Sequence, residues 1–435
     1  MADEPREATE RKRLFTNFAY LVSKQGATAV IGLAYWSIAT HLFRARDVGI
    51  AAAASSTAFF LAAIGVLGIA VLLLAELRSI EEERRRVVLS TGMVIACSVV
   101  LMLSLGTMAL SSVLGKSLRI IAHDPATTAL FVGGAAATVA TITFDNAAIG
   151  LDRGSAQLTR GILASVLKLI CVVLLVLAGS RTSAGLMFSW VAGLVISLVV
   201  CVPMLRLGHV PTSDGGLSQR IALVRRYGML SLNHHALNLS INSISFIVPA
   251  IAALLILPQQ VAYFITADLI ATTVLIIPYL LALSLFAAKS NDPYILHRLL
   301  RRTFPLGLVA CGAIVIVVEF AAPRILEFFG PAYTLHGTTA LRLLILIGPS
   351  YVIKDHYVAI RRAQGRLSDA TRVIAIGTAI EAIGVTVGGV LWGTTGLCLG
   401  WAAAAAAEAI VLSPTVIQVY RRVPLGEEDQ DDLSR

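Results

Sequence analysis

The chain has 435 residues, 57% of them hydrophobic and 14% charged, with a mean hydropathy of +0.81. Soluble domains are about half apolar and about one quarter charged, so this composition excludes a water-soluble enzyme, a disordered chain and a disulfide-rich secreted module; it specifies an all-α polytopic membrane protein. The net charge of +9 comes from 35 Lys and Arg against 26 Asp and Glu, which in a soluble protein would point to nucleic acid but in a membrane protein first reports which side each loop occupies.

In chain order, the polar segment 1–17 (MADEPREATERKR at its start) precedes an apolar run too long for a signal-peptide core, so an uncleaved cytoplasmic N-terminus is expected. Twelve segments are long and apolar enough to span a bilayer: 18–41, 48–75, 87–110, 128–149, 158–178, 185–205, 229–256, 260–286, 303–320, 338–360, 372–391 and 396–419. The longest polar stretch between them, 206–228, separates an N-lobe of six helices (18–205) from a C-lobe of six (229–419). The tail 420–435 carries the acidic run EEDQDD and reads as solvated.

Loop charge tests this count. With the N-terminus inside, cytoplasmic segments hold 25 basic residues and outer loops 6. That asymmetry fits an even number of spans with both termini in the cytoplasm. The outer connections are mostly short, so no separate catalytic domain is expected. The five cysteines, Cys97, Cys171, Cys201, Cys311 and Cys398, all lie inside apolar runs without paired spacing, which predicts neither a metal site nor a disulfide framework.

The halves resemble each other. Gly185 to Trp190 and Gly396 to Trp401 both read GLxxxW at an offset of 211 residues, and Gly154 matches Gly365 in the same register. DNAAIGLDRG (145–154) and DHYVAIRRAQG (355–365) share the order Asp, apolar run, Arg, Gly. Such self-similarity predicts a duplicated six-helix unit; with an even number of spans each, both copies insert the same way up, and the architecture suits alternating access.

Ionisable groups at membrane depth are costly and are functional candidates. Span 1 places Asn17, Lys24, Thr28 and Tyr35 on one face, and span 7 does the same for His234, Asn238, Asn242 and Ser245. Lys168 (span 5), Asp268 (span 8), Glu381 (span 11) and Glu408 (span 12) lie deep, and the repeat places Lys168 within two residues of Glu381, so that the two could pair, one from each lobe. Lys24, Glu319, Arg342, Lys354 and Asp355 lie near span ends, where snorkelling to the interface is the competing reading, and Lys354-Asp355-His356 could simply end its helix. The Asn and Ser stripe of span 7 could equally be packing glue. No Walker A, HExxH or GxSxG motif is present, so neither an enzyme nor a cofactor is expected.

Several motifs carry a resemblance. They are HLFRARDVGIAAAASS (41–56), Gly65-Val66-Leu67-Gly68, ILEFFGPAYTLHGTTALRLLIL (325–346), AIRRAQGRLSDATR (359–372) and WGTTGLCLGWAAA (392–404). With Phe329, Gly330, Tyr333, Gly365, Arg366, Gly393 and Gly396 at its key positions, the chain resembles, over about residues 14–420, the polysaccharide and O-antigen flippases of the multidrug/oligosaccharidyl-lipid/polysaccharide exporter superfamily. That resemblance implies a MATE-like fold of twelve helices in two lobes, in a bacterial cytoplasmic membrane. It implies a flippase that moves polyprenyl-diphosphate-linked oligosaccharide to the outer leaflet for cell-envelope polysaccharide assembly, with glycan polymerases or ligases as possible partners and no nucleic acid. The matching substrate-binding candidates are Lys24, Lys168, Arg342 and Lys354, with Arg44 and Arg46 at the outer mouth and His234, Asn238 and Asn242 on the polar face of span 7. Asp268, Glu381 and Glu408 are the candidates for coupling to a proton or sodium gradient. With Arg160 and Arg372, at span edges, counted with the cytoplasmic loops and Glu76 with the second span, the spans hold 4 bases against 7 acids, which leaves a cation-coupled multidrug antiporter of the same fold as an alternative; a non-transporting scaffold for glycan synthesis is a third.

Overall fold

The computed structural model describes residues 26, 28–66, 68–207, 244–287 and 293–421, and these contain helices and no strand. Lys24, His234, Asn238 and Asn242, most of the 206–228 loop and the acidic run of the tail lie outside the described residues. All twelve apolar segments contain helix where they are described. Nine helices among the described residues are long and apolar enough to cross a membrane; two shorter ones, α1 (Thr28–Leu42) and α10 (Ile244–Leu255), adjoin residues that are not described.

The chain divides into two compact units, Met1–Ala262 and Tyr263–Arg435. In the first, α2 (Ala45–Gly65), α3 (Ile69–Glu76), α4 (Glu82–Ala109), α7 (Pro125–Gly150), α8 (Gly154–Leu177) and α9 (Ser183–Cys201) form the bundle, with short helices α5 (Ser111–Leu114) and α6 (Lys116–His123) between α4 and α7. α7 is the hub and packs on α2, α3, α4, α8 and α9. Its small and β-branched residues, Gly134, Ala135, Thr138 and Val139 among them, are buried, because close helix approach in lipid depends on small side chains. The start of α7 is set by Asp124, whose carboxylate accepts hydrogen bonds from the Ala126 and Thr127 amides, followed by Pro125. The break between α2 and α3 falls at Gly68, whose φ of 78° is a left-handed conformation that favours glycine.

The sequence boundary at 206–228 assigns segment 229–256 to the second half. Its described part, α10, packs instead on α2 and α6 within the first unit. The contact is close: a Cβ on Gly49 of α2 would overlap the Pro258 carbonyl just beyond α10, and one on Gly115 would overlap the Leu254 carbonyl.

The second unit comprises most of α11 (Pro258–Ala287), then α12 (Pro293–Glu327), α13 (Pro331–Ile345), α14 (Gly348–Ala363) and α15 (Leu367–Arg421). α15 holds two spans. Non-helical dihedrals at Trp392 and Gly393 (φ 60°, ψ −139°) fold it into arms 367–391 and 394–421. Gly384 and Gly388 of one arm lie against the carbonyls of Gly400 and Gly396 of the other, so any side chain at these four positions would collide with backbone.

The outward faces are apolar. Phe320 is 83% exposed, and Val94, Leu177, Val199 and Val411 are exposed in the same way. Apolar surface of this extent has lipid as its solvent.

Candidate functional site

Among the described residues each unit contains a polar centre set between apolar helices. In the first unit the centre is a cavity of about 210 Å³ whose lining includes Tyr35, Ser55, Phe59, Lys168 and Trp190. Lys168 reaches it from α8, which is drawn close to α9 because Gly193 presents no side chain to Ala164 and Lys168. The Lys168 ammonium lies over the Tyr35 ring, 4.1 Å from its centroid. Tyr35 is held in turn: its hydroxyl donates to the Leu186 carbonyl at 3.4 Å and lies 3.1 Å from Ser189 Oγ, which itself donates to that carbonyl at 2.7 Å. No ion pair of Lys168 occurs among the described residues. The site therefore offers a cation braced by an aromatic face instead of a carboxylate, a contact worth about 2 kcal/mol when desolvated, and an anion entering it meets uncompensated positive charge.

In the second unit three charges converge from three helical segments. Lys354 Nζ of α14 lies 3.1 Å from Glu381 Oε1, on the first arm of α15, and 2.8 Å from Glu408 Oε2, on the second. The side chains are 9%, 0% and 5% exposed. Glu381 Oε2 also accepts from the Tyr351 hydroxyl at 3.3 Å and from the Trp401 indole N–H at 3.1 Å. Glu408 Oε1 is buried with no hydrogen-bond partner among the described residues. Gly377 leaves the room Glu408 occupies, since a Cβ there would collide with its carboxylate. One ammonium faces two carboxylates, so the cluster holds an excess negative charge or a proton.

The structure rearranges several expectations. Lys354 does not end a helix: α14 runs through it to Ala363, and its ammonium is buried instead of reaching the interface, because two carboxylates compensate it where water cannot. Glu381 takes its cation from Lys354 of its own unit. Lys354, read as a substrate contact, and Glu381 and Glu408, read as coupling groups, form one cluster. Asp268 on α11 is half-buried, within electrostatic reach of Tyr351. Arg342 is 44% exposed, donates to the Glu319 carbonyl at 3.0 Å and lies 3.6 Å from its carboxylate. Arg44 and Arg46 are exposed at the junction of α1 and α2.

Trp190 and Trp401, noticed in the sequence only as repeat markers, each line the polar centre of their own unit. Trp190 thus lines the cavity of Lys168, and Trp401 donates to the carboxylate cluster. A second buried pair had no sequence signal beyond charge. Arg160 of α8, by sequence one of the loop charges, grips Asp145 of α7 through Nε–Oδ1 (2.6 Å) and Nη2–Oδ2 (2.8 Å). Among the described residues no group of three or more His, Cys, Asp or Glu is placed to hold a metal ion.

No family model matches the chain, and no curated protein matches it. Solved structures do. The lipid II flippase MurJ in an inward closed conformation aligns with a TM-score of 0.69 at 14% identity, over 93% of this chain and 89% of that one. An inward-facing multidrug resistance MATE family transporter of the MOP superfamily aligns at 0.61 and 15% identity, over 94% and 96%. A MATE structure in complex with MaD5 aligns at 0.58 and 13% identity, over 95% and 97%. At these identities the shared property is the fold: this chain has the all-α polytopic fold of the MATE and MurJ structures.

Proposed function

We propose that this protein is a flippase that moves polyprenyl-diphosphate-linked oligosaccharide across a bacterial cytoplasmic membrane by alternating access, for cell-envelope glycan assembly. The observation that carries this reading is the Lys168 cavity. A diphosphate or acidic sugar crossing a low-dielectric region needs compensating positive charge, and Lys168 supplies it without an ion-pair partner among the described residues. Tyr35, Phe59 and Trp190 add flat apolar surface on which a sugar ring can lie. At about 210 Å³ the cavity is smaller than pockets for drug-sized ligands and suits one phosphate or one sugar ring. The relatives in fold support the reading to the extent that one of them is a lipid II flippase. Both termini belong in the cytoplasm on the split of basic residues. Glu381, Glu408 and Asp268 are the groups through which an ion gradient would act.

A cation-coupled multidrug antiporter is the second reading, favoured by the two carboxylates facing one ammonium in the second unit. A strain depleted of the protein distinguishes the two. The flippase reading expects a polyprenyl-linked glycan to accumulate on the cytoplasmic leaflet, and Lys168→Ala to reproduce that accumulation while the protein stays in the membrane at normal abundance. Normal envelope glycan together with dye or drug sensitivity would replace it with the antiporter.

A further inference from the structure

One end of the second unit carries a polar cavity that belongs to neither centre. It has a volume of about 470 Å³ and is lined by Arg361, Gln364, Arg366, Thr415, Gln418 and Val419. These side chains come from the end of α14, the turn after it and the last turns of α15. Five of the six can donate hydrogen bonds and none is a carboxylate. Arg361 Nε is buried without a hydrogen-bond partner among the described residues, and the guanidinium is braced over the Tyr357 ring at 5.3 Å. Arg366 is already engaged with Asp369, Nε to Oδ2 at 3.0 Å. Arg361 has no ion pair among the described residues.

The surroundings are basic. His297 Nδ1 lies 3.0 Å from the Val419 carbonyl, which fixes the first turns of α12 at this end and brings exposed Arg298, Arg301 and Arg302 to it. Arg362, Arg372 and Arg421 also lie at this end. Asp369 is paired with Arg366, and none of the lining residues is a carboxylate. A buried guanidinium N–H without an acceptor is a vacancy for an anion. Donors converging from three segments suit a tetrahedral acceptor with several oxygens better than a two-oxygen carboxylate. Helix ends rich in arginine lie where membrane helices leave the bilayer, at the level of lipid headgroups.

We propose that this cavity is a phosphate-binding site, with Arg361 as its principal ligand and Gln364, Thr415 and Gln418 as further donors. The phosphate can come from the headgroup of an anionic membrane lipid or from free inorganic phosphate, and the site is independent of what the protein transports.

The test uses the purified full-length protein in neutral detergent, probed with phosphatidylglycerol, with phosphate-free glucosyldiacylglycerol and with inorganic phosphate, and read by native mass spectrometry and by thermal unfolding. The expected result is retention of phosphatidylglycerol over the phosphate-free lipid, with affinity about tenfold lower in Arg361→Gln and reduced also in Arg361→Lys, which keeps charge but loses the planar fork. Gln418→Leu, farther from any structural pairing, should weaken retention as well. Arg119→Gln and Arg324→Gln, at exposed arginines outside this lining, should retain the lipid as the native chain does. Stabilisation by inorganic phosphate alone, lost in the same Arg361 variants, would assign the site to free phosphate and uphold its chemistry. Equal retention of the two lipids without any effect of phosphate, or Arg361 variants that bind like the native chain, would overturn the proposal.

Discussion

Replacing Lys354 by methionine leaves two carboxylates in a site where the charged side chains are at most 9% exposed. Removing one partner of a buried ion pair costs about 3–5 kcal/mol, because the remaining charge stays desolvated. Here the cost falls unevenly. Glu381 keeps the Tyr351 hydroxyl at 3.3 Å and the Trp401 N–H at 3.1 Å, and hydrogen bonds to a charged group are worth roughly 1.5–3 kcal/mol each. Glu408 keeps no donor: its Oε1 has no partner among the described residues, its Oε2 bond to Lys354 is the one lost, and what it still faces is the carboxylate of Glu381. Lys354→Met should therefore lower the unfolding temperature of the purified protein in detergent by roughly 6–20 °C, from about 2–4 °C per kcal/mol for a unit of this size. Adding Glu408→Gln should restore most of that loss, and adding Glu381→Gln much less. Fluorescence-detected thermal unfolding of the single and double variants measures this. An unchanged midpoint for Lys354→Met, or better rescue by Glu381→Gln than by Glu408→Gln, would refute the reasoning.

Two further outcomes follow from the first unit. Arg160→Gln removes both bonds of the Arg160–Asp145 fork, whose side chains are 8% and 13% exposed, and should cost about 3–5 kcal/mol; Arg160→Lys keeps the charge without the fork and should lie between it and the native chain. Thermal unfolding of the pair checks this, and identical curves for Lys and Gln would remove the bidentate geometry from the account. Asp124 is a pH-dependent cap: the Thr127 amide at 3.1 Å, and after it Ala126 at 3.4 Å, hold its carboxyl below the ordinary carboxylate range. Because the folded value is lowered, the stabilisation is full above the unfolded pKa and is lost as pH falls through the folded one. Amide-exchange protection in the first turn of α7 should drop on acidification from about pH 6 to about pH 3, around the carboxylate range, and in Asp124→Asn that drop should vanish; a drop of equal size in the Asn variant would show that another group is responsible.

The polar centres show where sequence reading stops. Lys168, Glu381 and Glu408 stand out in the sequence because a charge inside a long apolar run is expensive wherever it points. Lys354 does not stand out in the same way, since a charge beside Asp355 and His356 resembles a helix end; that Gly348–Ala363 continues as helix past all three is a consequence of the partners its buried face meets. Tyr351 and Trp401 carry no signal at all as donors to a carboxylate. The role of Arg160 was hidden by its position among residues that count toward loop charge.

The sequence by itself determined the class, the twelve apolar segments and the short connection 392–395 between the last two. Each of these depends on a local quantity, the length of an apolar run against the thickness of a bilayer. The pairing of charges was decided only by the tertiary structure. Lys354 meets Glu381 and Glu408 across separations of 27 and 54 residues. Which of the charges in the spans find a partner and which, like Lys168, find an aromatic face depends on how helices rotate and cross, and close crossings are set by small residues such as Gly193, Gly384 and Gly400 on neighbouring segments.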